Sequence, residues 1–246
     1  MDDGVRETPR LNEQVKRAIK PLIGIFLAPA ALSAAWATAG MLAPALGRFG
    51  VTFPLLCGAL ACLLFHWSGR GKRLYVAAHE LTHALAALCS GVRVRKISVK
   101  KTGGYVLLDS TSTFISLAPY VVPFYTLAVA AAYWLAGRFW DAAPLRPWFL
   151  AAAGFTLAFH LLHTTDILAG PVQSDLRKAG GPLFSLPLLL LLNCLGLAAA
   201  LKMLFPGLLS LRAYSARVLE TQGEAYRVVF SAVSYVFNTA KIYLNS

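Results

Sequence analysis

Apolar residues in this chain fall in long runs rather than at the two-residue period of half-buried strands. The first run extends from about Pro21 to Leu46, and a second, Val51 to Trp67, follows a short turn at Gly47-Arg48. A third covers Leu74 to Ser90, a fourth Phe114 to Leu135, a fifth Trp148 to Leu168 and a sixth Leu183 to Phe205. A run of roughly 18 or more apolar residues is long enough, as a helix, to cross the ~30 Å hydrocarbon core of a bilayer. The pattern therefore predicts an all-α polytopic membrane protein with about six transmembrane helices. Pro119 and Pro123 lie near the start of the fourth run. They fit a helix start with a tolerated kink, or a loosened span with freed backbone carbonyls.

The connecting segments differ in character. Residues 1–20 form a polar N-terminal tail, and residues 21–73 hold the first two spans and a polar break at Ser68 to Arg73. After the third run, Gly91 to Asp109 partly alternates β-branched and charged residues and is interrupted by Gly103-Gly104. It reads as a small β-hairpin or loop. Arg138 to Pro147 is a connector, and Gly170 to Pro182 is a turn-rich loop. Residues 206–246 form a C-terminal tail. Its stretch Ala225 to Leu244 is apolar and aromatic but carries Arg227, Asn238 and Lys241. It reads as an amphipathic interfacial or docking helix, with a seventh span as the alternative.

Composition supports lipid as the main solvent: 57% of residues are hydrophobic and only 14% charged, against about 25% charged in a soluble domain. The net charge of +12 would suggest nucleic acid in a soluble chain. Here Lys and Arg concentrate in tails and loops, where contact with lipid head groups and control of topology account for them. No nucleic-acid partner is expected. Cys57, Cys62, Cys89 and Cys194 lie in apolar stretches and form no CxxC pair, so buried, inert thiols are expected.

Against this background His79-Glu80-Leu81-Thr82-His83 stands out. Residues i and i+4 share a helix face, so His79 and His83 can hold one zinc ion, each at ~2.0–2.1 Å. Glu80 lies beside them as a candidate general base, and zinc makes water acidic enough to ionise near neutral pH. Ionisable groups are costly within a span, which argues against three of them gathering there without a use. A catalytic zinc requires a third protein ligand and an open position. Acids in the tails and outer loops are poorly placed, which leaves Asp166 and Asp175. His160 and His163 share a helix face with Asp166 and are either polar neighbours of the metal or interhelical hydrogen-bonding groups. His66, at the end of the second run, reads as interfacial.

The stretches HELTHALAALCSGVRV, KKTGGYV and LAPYVVPFY resemble the M50, or site-2 protease, family of intramembrane zinc metalloproteases. The resemblance covers about residues 74–200 and marks residues 74–205 as a metalloprotease core. It implies that Glu80 is catalytic, that His79 and His83 bind Zn2+, and that an Asp on a later segment completes the site. The family's Asp usually sits in an Asp-Gly pair, which is absent after the fourth run. The nearest equivalent is Gln173-Ser174-Asp175, which resembles the variant in small M50-like bacterial membrane proteins. Asp175 is thus the preferred third ligand and Asp166 the runner-up.

The resemblance implies hydrolysis of peptide bonds in or near transmembrane segments, with a membrane protein or a leftover signal peptide as substrate and the bacterial inner (plasma) membrane as location. An exposed strand between Lys100 and Asp109 suits an extended substrate by β-addition. Gly103 and Gly104 would permit close approach, and Asn193 is a further candidate substrate-binding group. Two other readings stay open: a non-catalytic M50-like membrane scaffold, and a metal transporter with His79, His83, His160 and Asp166 along its path.

Overall fold

A computed structural model describes residues 8–100 and 103–244. The chain is mostly helical with one small antiparallel hairpin. Helices α1 (Thr8–Leu46), α2 (Phe49–Trp67) and α3 (Lys72–Cys89) precede strands β1 (Val94–Lys100) and β2 (Gly103–Leu108). Then come α4 (Thr113–Val121), α5 (Phe124–Phe139), a 3-10 turn at Ala143–Leu145, α6 (Arg146–Ala169), α7 (Ser174–Ala179), α8 (Pro182–Leu204) and α9 (Leu211–Leu244).

Among the described residues, four helices are long and apolar enough to cross a membrane: α1 over Ala18–Pro44, α2, α6 with the turn before it, and α8. A fifth crossing is reached by counting α4 and α5 as one bent span. The expected third span, α3, is not in this set; its 18 residues include Lys72, Arg73 and Glu80. The expected polar tail also differs, because α1 already begins at Thr8. Helix-forming residues such as Glu13, Gln14, Lys16 and Arg17 allow the polar segment to continue into the apolar helix. Residues 1–7 of that tail lie outside the described residues.

The chain divides into two compact units, one formed by residues up to Ala45 and from Leu186, the other by Leu46–Ser185. In the first, the Thr38 and Tyr214 hydroxyls meet at 3.2 Å, and Tyr226 stacks on Phe26 and donates to its carbonyl. Its α9 is one helix of 34 residues, longer than the docking helix expected from Ala225. It is not apolar enough to count as a seventh span, yet Val229, Phe230, Val233 and Phe237 are exposed on it.

In the second unit, α2 and α6 run against each other at backbone contact. A Cβ at Gly58 would meet the Ala151 carbonyl, and one at Gly154 would meet the Leu55 carbonyl. Small residues of this kind let membrane helices approach closely. Cys62, Tyr75 and Phe159 form a buried cluster that ties α3 to this pair. Along α3, Ala86 and Ala87 pack on Ile115 and Ala118 of α4, with Val94 and Leu108 of the hairpin against them. The four cysteines are free, but Cys57 and Cys89 are exposed, contrary to expectation, because they fall on outward helix faces.

The fourth apolar run is broken rather than kinked. α4 and α5 meet at an angle of 69°. Pro123 has no N–H to return to the Pro119 carbonyl, and its ring would clash with that carbonyl in a continuous helix. The residue before a proline avoids the α region, and Val122 is extended, with ψ 110°. Ser112 caps the other end of α4 by accepting from the Ile115 N–H at 3.2 Å, an N-cap arrangement. The result is a nine-residue helix held across α3.

The α2–α6 contact yields an expectation. Gly154→Val should lower stability by about 1–3 kcal/mol, the usual cost of overpacking, in a detergent unfolding series under chelator. An unchanged midpoint would show that the two helices can separate without loss.

Candidate metal centre

The His79 and His83 side chains project from one face of α3, one turn apart, with ring centroids 4.9 Å apart. Opposite them stands Asp175, in the first turn of α7. Its Oδ2 lies 3.5 Å from His79 Nε2 and 3.4 Å from His83 Nε2. One ligand atom from each of the three residues lies within 4.8 Å of the others. Among the described residues, this is the group of three or more His, Cys, Asp or Glu that could hold a metal ion.

The spacing tests whether a metal fits. Ligands ~2.0–2.1 Å from a tetrahedral zinc stand roughly 3.3–3.4 Å from each other. The two His–Asp distances agree with that value and exceed the ~2.7–3.2 Å of a well-formed N–H···O bond. Two imidazoles and a carboxylate also match the donor set of catalytic zinc sites. The His83 ring is oriented as a ligand would be. Its Nδ1 lies 2.8 Å from the Ile115 carbonyl, so Nδ1–H donates there and Nε2 faces Asp175, able to offer its lone pair to an ion held between them. An outer partner of this kind usually fixes the tautomer of a ligating histidine.

Asp175 is held in turn by its neighbours. The Tyr120 hydroxyl donates to Oδ2 at 3.3 Å, and Lys178 Nζ stands 4.0 Å from Oδ1. Burial alone would push the Asp175 carboxyl upward. Without an ion between them, protons on the two Nε2 atoms hydrogen-bond the carboxylate; these bonds, and then the charge of the rings, outweigh burial and hold the carboxyl well below the usual carboxylate range. α7 is fixed to α4 by the Thr113 hydroxyl, which donates to the Ala179 carbonyl at 3.3 Å. Gly180 and Gly181 end α7 with φ of 135° and 90°, left-handed conformations that glycine adopts at little cost.

Glu80 is 7% exposed and lines the same cavity of about 640 Å³ as His79, His83 and Asp175. β2 forms one wall of that cavity from Gly103 to Leu108. β1 and β2 pair antiparallel, with Val99 opposite Gly104 and Lys100 opposite Gly103; the turn at 101–102 lies outside the described residues. Arg95 is bonded to Asp109 and closes the base of the hairpin. A Cβ at Gly104 would sit 2.6 Å from Glu80 Cγ and 2.8 Å from its Oε1, so only glycine fits there.

Other residues singled out in the sequence lie elsewhere. Asp166 is not brought to the two histidines; it is 58% exposed and pairs with His66 Nε2 at 3.2 Å. The expected interfacial His66 is therefore the partner of an acid on α6. His163 Nδ1 bonds the Phe159 carbonyl in its own helix, and its ring stacks on Tyr75. His160 is buried on α6 outside the three-ligand group. Of the four residues named for a transporter path, Asp166 is away from the α3 histidines, whereas His160 lines a small cavity together with His79. Asn193 belongs to the other unit, where its amide donates to Leu189 O one turn back at 2.9 Å.

Tyr120 and the Ile115 carbonyl were not anticipated as site groups. The signal for Tyr120 was available: a tyrosine inside an apolar run must find a partner for its hydroxyl. The carbonyl has no such signature, because any residue type supplies one. The scan against protein-family models and the searches of curated proteins and solved structures found no match to this chain.

The geometry sets a direct expectation for metal binding. The wild-type chain should bind one Zn2+, and His83→Ala or Asp175→Ala should weaken it by more than the roughly 10–100-fold lost with an outer partner. Asp166→Asn should leave the affinity unchanged. Competition with a chromogenic chelator reads all three, and an Asp166 effect as large as the Asp175 effect would reverse the ligand assignment.

Proposed function

We propose that this chain is an integral-membrane zinc metallopeptidase that hydrolyses peptide bonds in or near transmembrane segments, in the manner of the M50, site-2 protease-like family. The observation that supports this reading most is the approach of both α3 imidazoles to one Asp175 oxygen at 3.4 and 3.5 Å, with Glu80 on the wall of the same cavity. His79, His83 and Asp175 hold the ion. Zinc bound there supplies Lewis acidity at the scissile carbonyl.

The remaining chemistry belongs to the chain. Glu80 accepts a proton from the attacking water and passes it to the departing amide nitrogen, as a general base and then a general acid. The new C–O bond replaces the broken C–N bond, and the products are a carboxylate and an amine. Tyr120 keeps the Asp175 carboxylate oriented through its hydrogen bond.

A substrate helix hides its peptide groups in its own hydrogen bonds, so it must unwind before cleavage. β2 pairs with β1 alone among the described residues, and its length lines the cavity. An unwound segment of a membrane protein or a leftover signal peptide would add to β2 as a further strand, with main-chain hydrogen bonds holding it. Gly104 lets that strand lie directly over Glu80. Four apolar helices, or five with the bent pair, support a membrane location, and the bacterial inner (plasma) membrane is the proposed site.

Two variants separate the roles. Glu80→Gln should retain stoichiometric zinc and lose cleavage of a reconstituted transmembrane substrate by about 10²–10⁴-fold, the usual worth of a general base. Gly104→Ala should also retain zinc and lose activity, since its methyl displaces Glu80. Full activity of Glu80→Gln would refute the peptidase reading; the non-catalytic scaffold reading expects no cleavage from the wild type either.

A further inference from the structure

His79 poses a question that His83 does not. The Nδ1 of His83 is engaged by the Ile115 carbonyl, whereas His79 Nδ1 is buried with no hydrogen-bond partner. A buried N–H without a partner is costly. His79 lines a second, much smaller cavity on the side of α3 toward α6 and the break after α4. That cavity offers ≈ 10 Å³ to the centre of a water molecule, about the least that one water requires. Tyr75, Thr82, Pro119, Tyr125 and Thr156 are among its lining residues.

The threonine hydroxyls there act alike. The Thr82 hydroxyl donates its proton to the Ala78 carbonyl at 2.7 Å. The Thr156 hydroxyl donates to the Ala152 carbonyl at 2.8 Å. Both oxygens therefore present lone pairs. The cavity thus holds hydroxyl oxygens as acceptors and two imidazole rings, those of His79 and His160. We infer that this cavity is a site for a single structural water, which accepts from His79 Nδ1–H and donates to the lining oxygens. The water links those acceptors to His79 and gives its ring a partner. It holds a proton on Nδ1, so that Nε2 can offer its lone pair to an ion between His79 and Asp175.

The water site stands on the chain's own polar atoms; its effect on metal affinity rests on the zinc reading above. The test uses full-length protein in nanodiscs, labelled with ¹⁵N-histidine and titrated with Zn2+. Two-bond ¹H–¹⁵N correlations report the tautomer of each ring, with His79→Gln to assign the signal and His83 as internal reference. At saturation His79 is expected as the Nδ1–H tautomer, with a water cross-peak to that proton. The Nε2–H tautomer, or no water contact, would overturn the inference. Thr156→Val should shift the His79 signal, remove the water contact and weaken Zn2+ binding about tenfold, at the lower end for an outer partner, whereas Thr156→Ser should restore all three. The water contact at His79 in a chain that takes up no zinc would sink the metal reading and leave the water site standing. An unaltered His79 signal in Thr156→Val would remove Thr156 from it and refute the site as drawn.

Discussion

The arrangement depends on one carboxylate oxygen of Asp175 standing 3.4–3.5 Å from two imidazole nitrogens. Asp175 is far along the chain from α3, on a six-residue helix that has too few residues to be stable alone. It keeps its place because α7 is tied to α4 and α4 to α3. Ile115 and Tyr120, both on α4, each bond one member of the trio. The short helix before the break is therefore the part that holds the histidine helix and the aspartate helix in register.

The hairpin supplies the second constraint. Glu80 is nearly buried, yet the general-base role proposed for it requires that it reach water and substrate. Glycine at position 104 resolves this by bringing the β2 backbone against the Glu80 side chain without closing the cavity in front of it. The strand edge and the carboxylate then occupy the same wall. On the proposed reading, the group that binds an unwound peptide and the group that moves its proton are set by one close contact.

Much of this was legible in the sequence where a residue type has few alternatives. His79, Glu80 and His83 were recognisable because ionisable groups in an apolar helix are costly and their spacing fixes a shared face. The hairpin was visible in β-branched alternation around Gly103-Gly104, and Asp175 was favoured over Asp166 by its context. Less legible were features set by tertiary packing. Pro119 and Pro123 suggested a kink, but the 69° turn depends on what α4 packs against. α7 is too short for a periodic signal, and α1 extends through residues that read as a tail. Asp166 and His66 looked like unrelated polar residues until α2 and α6 brought them together.

X-ray absorption at the zinc edge of the metal-loaded protein tests the central claim most directly. The expected first shell contains only nitrogen and oxygen at ~2.0–2.1 Å, with the outer-ring scattering of two imidazoles and no more. A sulfur neighbour at ~2.3 Å, a different number of imidazoles, or protein that takes up no stoichiometric zinc would contradict it.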